Sequence, residues 1–154
     1  MPHIRITEKI IVRCTPEFVF DYTQDYAGRL KWDTFLKKAE LLDGAIEAGV
    51  GVRADCVAKN GFGMITEYVS FNRPDGTAVK MTKGPIMFRS FAGSWKFTEL
   101  DAGLTEVSFI YSYELRWPFS MFHGMFKNKL RSEVRQRLVD LKRNIEANID
   151  HSNN

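Results

Sequence analysis

Residues 107–115 read VSFIYSYEL, and Trp117-Pro118 then lead into a long amphipathic segment. The aromatic and β-branched residues of the first stretch predict a strand. The second stretch predicts one helix from Phe119 or Ser120 to about Ile149, because its apolar residues recur at steps of three and four. A long helix after a run of strands buries its apolar stripe on the concave face of their sheet, and incomplete filling of that contact leaves a pocket. This stretch therefore favours a protein with an internal ligand-binding cavity.

The predicted helix has two different faces. Its apolar stripe consists of Phe122, Phe126, Leu130, Val134, Leu138, Leu141 and Ile145. Elsewhere on the helix basic residues outnumber acidic ones. The basic residues are Lys127, Lys129, Arg131, Arg135, Arg137, Lys142 and Arg143. We interpret this basic face as solvated rather than as a nucleic-acid or membrane surface, because no Gly/Arg or aromatic interleaving accompanies it.

The chain before this stretch predicts more strands and two short helices. Apolar residues alternate with polar ones from Ile4 to Cys14, with only Glu8 on the wrong side. Thr15-Pro16-Glu17 has the residues of a helix start, and a second helical turn or two is expected around 26–32. Further strands are predicted at 38–42, 52–57, 64–72, 77–83 and 87–100. We expect one domain over residues 1–150 and a frayed polar tail over 151–154.

Composition restricts the class of function. The chain has 154 residues, a formal net charge of +3, 12 Phe and 3 Trp. This charge is small for a nucleic-acid-binding protein, and no segment approaches the length of a membrane span. His3, His123 and His151 are scattered, so we expect no metal site, and since the sequence has no P-loop or dinucleotide-binding motif we expect no cofactor. Cys14 and Cys56 lack metal-ligand spacing and predict buried thiols in a reducing, cytoplasmic compartment.

The order of these elements resembles the START/SRPBCC superfamily, especially its polyketide cyclase/dehydrase-like members. The resemblance rests on residues 15–20, 30–33, 49–51, 103–107 and the terminal helix. It implies an α+β helix-grip fold, in which a curved antiparallel sheet of about seven strands wraps around the C-terminal helix. It also implies a cavity for a hydrophobic small molecule, with Trp32 closing one end. In that topology Cys14 and Cys56 lie on strands at opposite edges of the sheet, which predicts that they form no disulfide.

The parity of residues across the hairpins predicts which side chains line such a cavity, because partners across an antiparallel turn share a face. The strands contribute Val69, Phe71, Val79, Met81, Phe91, Trp95, Phe97, Val107, Phe109, Tyr111 and Tyr113. The helix covers this face with Phe122, Met125, Phe126 and Leu130. We predict that these residues, apart from Val79 and Val107, bind the ligand together with Trp32.

Two charges, Glu67 and Arg89, share the parity of this apolar face. A buried unpaired charge is costly, so they are expected to pair with each other, with Lys83 or with a ligand, and we include both among the ligand-binding residues. The alternative is that a β-bulge or a strand end turns one of them out to water. Glu8 on the first strand has the same ambiguity.

Three functions are compatible with this pattern. The leading hypothesis is binding, including transport, of a lipid, polyketide or aromatic metabolite by a monomer or homodimer without nucleic acid or integral membrane association. An enzyme of the cyclase or dehydratase type is the first alternative, using Glu67, Arg89, a tyrosine or His123 for proton transfer. The second alternative is a protein-interaction module with a filled core. Cavity volume distinguishes this module from the other two.

Overall fold

The chain forms strands and helices in the order that the sequence predicts. The computed structural model describes residues 3–152, with side chains as far as Ile149. The strands are β1 (Ile4–Val12), β2 (Leu36–Leu41), β3 (Arg53–Ala58), β4 (Gly63–Asn72), β5 (Gly76–Lys83), β6 (Phe88–Asp101) and β7 (Leu104–Leu115). The helices are α1 (Pro16–Gln24), α2 (Arg29–Trp32) and α3 (His123–Ser152), and a 3-10 turn over Phe119–Phe122 precedes α3.

All seven strands belong to one antiparallel sheet in the order β1-β7-β6-β5-β4-β3-β2. The hairpins pair neighbours in sequence, and the first strand joins the other end of the sheet by pairing with the last. With α3 packed against β1, this arrangement confirms the predicted helix-grip fold. Cys14 and Cys56 are free thiols, which confirms the prediction that they form no disulfide.

Helix α1 fills one end of the concave face. Its start is fixed by Thr15, whose side chain accepts a hydrogen bond from the Phe18 amide at 3.2 Å, and by Pro16 in the first turn. The ring of Phe20 packs edge-on against Phe71 at 5.1 Å and against Phe97 at 5.9 Å. The space beside β4 and β6 at this end is therefore occupied by protein.

The two halves of α3 have different environments. In the second half Val134, Leu138, Leu141 and Ile145 are buried against the core. Phe122 of the 3-10 turn and Met125 of the first turn of α3 are mostly exposed, contrary to the prediction that they cover the sheet. No helix within residues 3–152 has both the length and the apolar composition to cross a membrane. The helix extends through Ser152, so it includes part of the predicted tail, whose last two residues lie outside the described chain.

Part of the predicted basic face of α3 is used inside the protein. Glu8 of β1 points towards the helix and forms ion pairs of 3.1 Å with both Arg131 and Arg135. Arg137 is buried. The apparent misfit of Glu8 in the first strand therefore has a structural cause, because it meets two cations of the helix that covers it.

Two β-bulges invalidate the predicted orientation of three residues. The β4–β5 pairing shifts between Tyr68 and Ser70, so Tyr68 faces the concave side and Val69 is half-exposed. Glu67 consequently lies on the outer face, where its register partners are Arg53 and Lys80. The prediction that Val69 and Glu67 point inward is wrong, because one extra residue in a strand reverses the parity of its neighbours.

The second bulge has the same effect in β6. The β6–β7 pairing shifts between Phe88 and Ser90, so Phe88 and Phe91 are both buried while Arg89 is exposed. Arg89 is therefore not an inward charge and cannot pair with Glu67 inside the protein. Glu67 and Arg89 therefore both follow the alternative given above, in which a β-bulge turns a charge out to water.

Candidate functional site

A cavity of about 420 Å³ lies between the sheet, α2 and the first half of α3. Its walls are mainly apolar and aromatic, with side chains from β3 to β7 on one side and Phe126 and Leu130 of α3 on the other. The turns at one end of the sheet contribute Phe62, Pro85 and Met87. A cavity of this size and composition is typical of sites for small organic molecules and differs from a filled core.

The structure brings some of the predicted ligand-binding residues to this cavity. Those that line it are Phe91, Trp95, Phe109, Tyr111, Phe126 and Leu130. They form one aromatic surface, in which the rings of Trp95 and Phe109 are 4.2 Å apart and those of Phe109 and Tyr111 4.9 Å apart. Their binding of a ligand stays a prediction.

Other predicted residues face inward but pack against protein. Phe71 and Phe97 contact Phe20 of α1, and Met81 packs against the edge of the core. Tyr113 is fully buried and its ring lies 5.6 Å from that of Phe88. Trp32 does not close the cavity, since it is fully buried behind Arg29 and Trp95, which do line it.

A charged cluster forms the inner end of the cavity, and no feature of the apolar pattern predicted it. Arg29 of α2 and Arg137 of α3 both line the cavity, and both are bound to the fully buried Asp33. The Nε of Arg29 and an Nη of Arg137 each donate to the same Asp33 oxygen, Oδ2, over 2.9 Å. Arg137 Nε also donates to Oδ1 over 3.2 Å.

Aromatic rings surround the two guanidinium groups. The Arg29 guanidinium lies 4.8 Å from the ring of Trp32, and that of Arg137 lies 5.0 Å from Phe35 and 5.1 Å from Phe109. Such cation–π contacts compensate part of the cost of removing the charges from water. They also hold each guanidinium in one orientation, which a binding site requires.

The cluster has an excess of one positive charge, because it contains two arginines and one aspartate. Burial alone raises the pKa of the Asp33 carboxyl, but the guanidiniums of Arg137 and Arg29 overcome this effect and hold that pKa below its usual value. Burial lowers the pKa of Arg29, but the attraction of Asp33, together with smaller contributions from Tyr26 and Cys56, leaves that pKa above its usual value. All three groups are therefore ionised at neutral pH, and one buried cation has no counter-ion within the cluster.

Two hydrogen-bond donors of the cluster have no partner among the described residues. The Tyr111 hydroxyl accepts a hydrogen bond from Arg137 Nη1, which leaves its own proton free to donate. Arg29 uses Nε for Asp33 and Nη1 for the backbone oxygen of Thr23, but Nη2 makes no hydrogen bond to residues 3–149. Both residues line the cavity, so both donors are suited to an oxygen of a ligand.

A second polar feature of the cavity wall is a chain of hydrogen bonds in which each side chain donates to the next. The Tyr68 hydroxyl donates to Gln24 Oε1 over 2.6 Å, so the Tyr26 hydroxyl, 3.0 Å from that of Tyr68, is the donor of their hydrogen bond. The chain continues from Gln24 Nε2 to Thr23 Oγ1 over 2.9 Å. Burial raises the pKa of both tyrosines, which therefore stay neutral. The oxygen of Tyr26 is left as an acceptor at the cavity wall.

Two further titratable side chains line the cavity. Glu133 of α3 makes no ion pair with any described residue, and burial raises the pKa of its carboxyl. Burial likewise raises the pKa of the Cys56 thiol, which is therefore protonated at neutral pH. His123 is exposed at the start of α3 and does not line the cavity.

Comparison with known proteins agrees with this architecture. The family model described as "Polyketide cyclase / dehydrase and lipid transport" matches residues 3–146. The chain belongs to this family. A comparison with curated protein sequences found no significant match.

Several solved structures share this fold. The ZhuI aromatase/cyclase from Streptomyces sp. R1128 has a TM-score of 0.79 and 17% identity, with 96% of each chain covered. A START superfamily protein from Mycobacterium smegmatis has a TM-score of 0.77 and 14% identity, covering 95% of this chain and 99% of that one. At such low identity these likenesses show the fold alone.

Proposed function

We propose that this family member binds a mainly apolar, ring-containing small molecule whose acidic oxygen is held by Arg29 and Tyr111. The observation that carries the proposal is an apolar cavity of about 420 Å³ with two buried arginines and one aspartate at its inner end. An apolar wall selects for rings or hydrocarbon, while a few oriented polar groups select for one head group.

The charge of the head group follows from the cluster. The excess cation forms no ion pair with Glu133, the other carboxylate of the cavity, and an anionic or strongly polarised oxygen of a ligand compensates it. The free Arg29 Nη2 and the free Tyr111 proton supply two donors for that oxygen. We therefore assign the ligand to hydrophobic carboxylates and acidic phenols rather than to neutral lipids.

The experiment that tests binding in this cavity uses Gly93, which lies in the wall between Tyr111 and Val79. A Cβ at Gly93 is 3.5 Å from the Tyr111 ring and 3.7 Å from Val79, so alanine fits without displacing either. A leucine extends into the cavity. In fluorescence titrations with the neutral probe anthracene-2-methanol, we expect Gly93→Leu to weaken binding about tenfold or more and Gly93→Ala to preserve it.

Thermal unfolding of the two variants serves as the control, because a loss of fold also abolishes binding. If both variants melt like the wild type and Gly93→Leu still binds the probe with wild-type affinity, the cavity is not the binding site and the proposal is wrong.

A second candidate function is catalysis of a polyketide cyclisation, which one observation favours. The Tyr111 hydroxyl is polarised by Arg137 inside the cavity, and Glu133, a carboxylate with a raised pKa, lines the same space. In such a reaction Tyr111 donates a hydrogen bond to a ketone oxygen while Glu133 accepts a proton from the adjacent carbon.

For this candidate, Tyr111→Phe is expected to slow cyclisation of a synthetic poly-β-ketone thioester about tenfold, the effect of one lost hydrogen bond. The wild-type rate is expected to fall as pH drops through the raised pKa of Glu133, since only its ionised form accepts a proton. Product formation measured by chromatography checks both. Wild-type protein that gives no more product than buffer excludes this second function and leaves the binding proposal intact.

A further inference from the structure

Large apolar side chains are exposed together at one end of the sheet. The β3–β4 turn, the β5–β6 turn and the segment between β7 and α3 lie at this same end, because consecutive antiparallel strands reverse direction. A hydrogen bond of 2.8 Å from the Arg116 amide to the Met87 oxygen joins the second and third of these segments. We call the exposed apolar residues of these segments and of the adjoining first turn of α3 the apolar rim, and these are Phe62, Ile86, Trp117, Met121, Phe122 and Met125.

The exposure of the apolar rim is substantial. Ile86 is 76% exposed and Trp117 is 71% exposed. Exposed apolar side chains that cluster on neighbouring segments indicate an interaction surface, whereas scattered ones do not. The cavity reaches the same end of the molecule, because Phe62, Pro85 and Met87 line it from these turns.

Most charged residues near the apolar rim are basic. Residues 116–132 contain Arg116, Lys127, Lys129 and Arg131 but no aspartate or glutamate. Residues 82–90 contain Lys83 and Arg89 and likewise no acidic residue. Arg131 is engaged with Glu8, but Arg116 and Lys129 are exposed beside the rim and Lys127 is half-buried there. This surface therefore complements a negatively charged partner.

We propose that the apolar rim docks on an anionic lipid bilayer. A tryptophan, two phenylalanines, two methionines and an isoleucine project from three separate segments, and basic residues flank them, which is the composition that partitions into the interface of an anionic membrane. Phe62 belongs to both the rim and the cavity lining, so docking would bring this end of the cavity to the lipid surface from which an apolar ligand is taken or released.

The test is co-sedimentation of the full chain with vesicles, without added ligand. Vesicles of equal parts phosphatidylcholine and phosphatidylglycerol are compared with vesicles of phosphatidylcholine alone. We expect wild-type protein to pellet with the anionic vesicles only, and to be released by salt because screening weakens the attraction.

Variants separate the apolar from the charged contribution. Trp117→Ser combined with Phe122→Ser is expected to weaken binding about tenfold or more, since it removes two rings that enter the interface. Arg116→Gln and Lys127→Gln are each expected to weaken it about fivefold, the effect of one cation near an anionic surface. Ile46→Ser is the matched control, because Ile46 is 97% exposed in the turn between β2 and β3 at the opposite end of the sheet.

Wild-type protein that stays in the supernatant with anionic vesicles overturns the proposal, as does equal pelleting with both vesicle types. An equal loss in Ile46→Ser and in the Trp117/Phe122 variant also overturns it. If the protein ignores vesicles but binds a purified acidic acyl carrier protein through the same rim, the surface belongs to a protein partner and the membrane proposal is wrong. None of these outcomes bears on binding in the cavity, which is measured with vesicles absent.

Discussion

Asp33→Asn is expected to lower the free energy of unfolding by about 3 to 5 kcal/mol, the range observed when one partner of a buried ion pair is removed. The side chain of Asp33 is inaccessible to water and binds Arg29 and Arg137 at 2.9 Å each. An asparagine of the same size leaves two buried guanidiniums without any carboxylate. Urea unfolding at neutral pH, followed by circular dichroism, measures the difference.

Asp21→Asn is the matched control for this variant. Asp21 also binds an arginine, Arg73, over 2.8 Å, but both side chains are more than half exposed. An exposed pair of this kind contributes about 1 kcal/mol or less. Equal losses of stability in the two variants would contradict the claim that burial makes the Asp33 ion pairs more important for stability than the exposed Asp21 pair.

The same cluster predicts a dependence of stability on pH. Its two arginines hold the pKa of folded Asp33 below 3.8, the usual value that applies to the unfolded chain. The ionised carboxylate therefore makes its full contribution to the free energy of unfolding above pH 3.8. This contribution is lost as the pH falls through the lowered pKa of the folded state. We expect this part of the acid destabilisation to be absent from the Asn variant.

The second large effect concerns ligand selectivity. Arg29→Met is expected to weaken binding of anthracene-2-carboxylate by about 1.5 to 3 kcal/mol, or roughly ten- to more than a hundredfold, the value of a hydrogen bond to a charged group. Binding of anthracene-2-methanol should change much less. The fold is expected to survive, because Asp33 keeps its hydrogen bonds from Arg137. Isothermal titration with both ligands gives the ratio of affinities.

Arg53→Met controls for the loss of one positive charge anywhere on the protein. Arg53 is the first residue of β3 and lies on the outer face of the sheet, where it binds the exposed Asp43 over 3.0 Å. If both variants reduce carboxylate affinity equally, the effect is one of net charge, and Arg29 does not contact the ligand.

The β6–β7 hairpin shows how much of this site can be predicted from the sequence. Its pairing is regular from Phe91 opposite Tyr113 to Glu99 opposite Thr105, so simple alternation placed Trp95, Phe109 and Tyr111 correctly on the concave face. Alternation failed where a bulge follows Tyr68 and where another follows Phe88, because a single inserted residue reverses the faces and leaves little trace in composition.

The charged cluster was missed for a different reason. Asp33 and Arg137 are more than a hundred residues apart in sequence, and nothing local to either residue shows that they meet. One signal was available: Arg137 follows Val134 by three residues and precedes Leu141 by four, which places it on the apolar side of α3 rather than on its basic face. A charge in an apolar stripe indicates a buried partner or a ligand.

The position of a bound carboxylate tests the central proposal most directly. In a crystal structure of the wild-type protein with anthracene-2-carboxylate, we expect the rings to lie against Trp95 and Phe109 and a carboxylate oxygen to lie about 3 Å from Arg29 Nη2 and the Tyr111 hydroxyl. A ligand bound in the cavity with its carboxylate turned towards Lys129, or bound outside the cavity, would contradict the assignment of Arg29 and Tyr111 as the anion-binding pair.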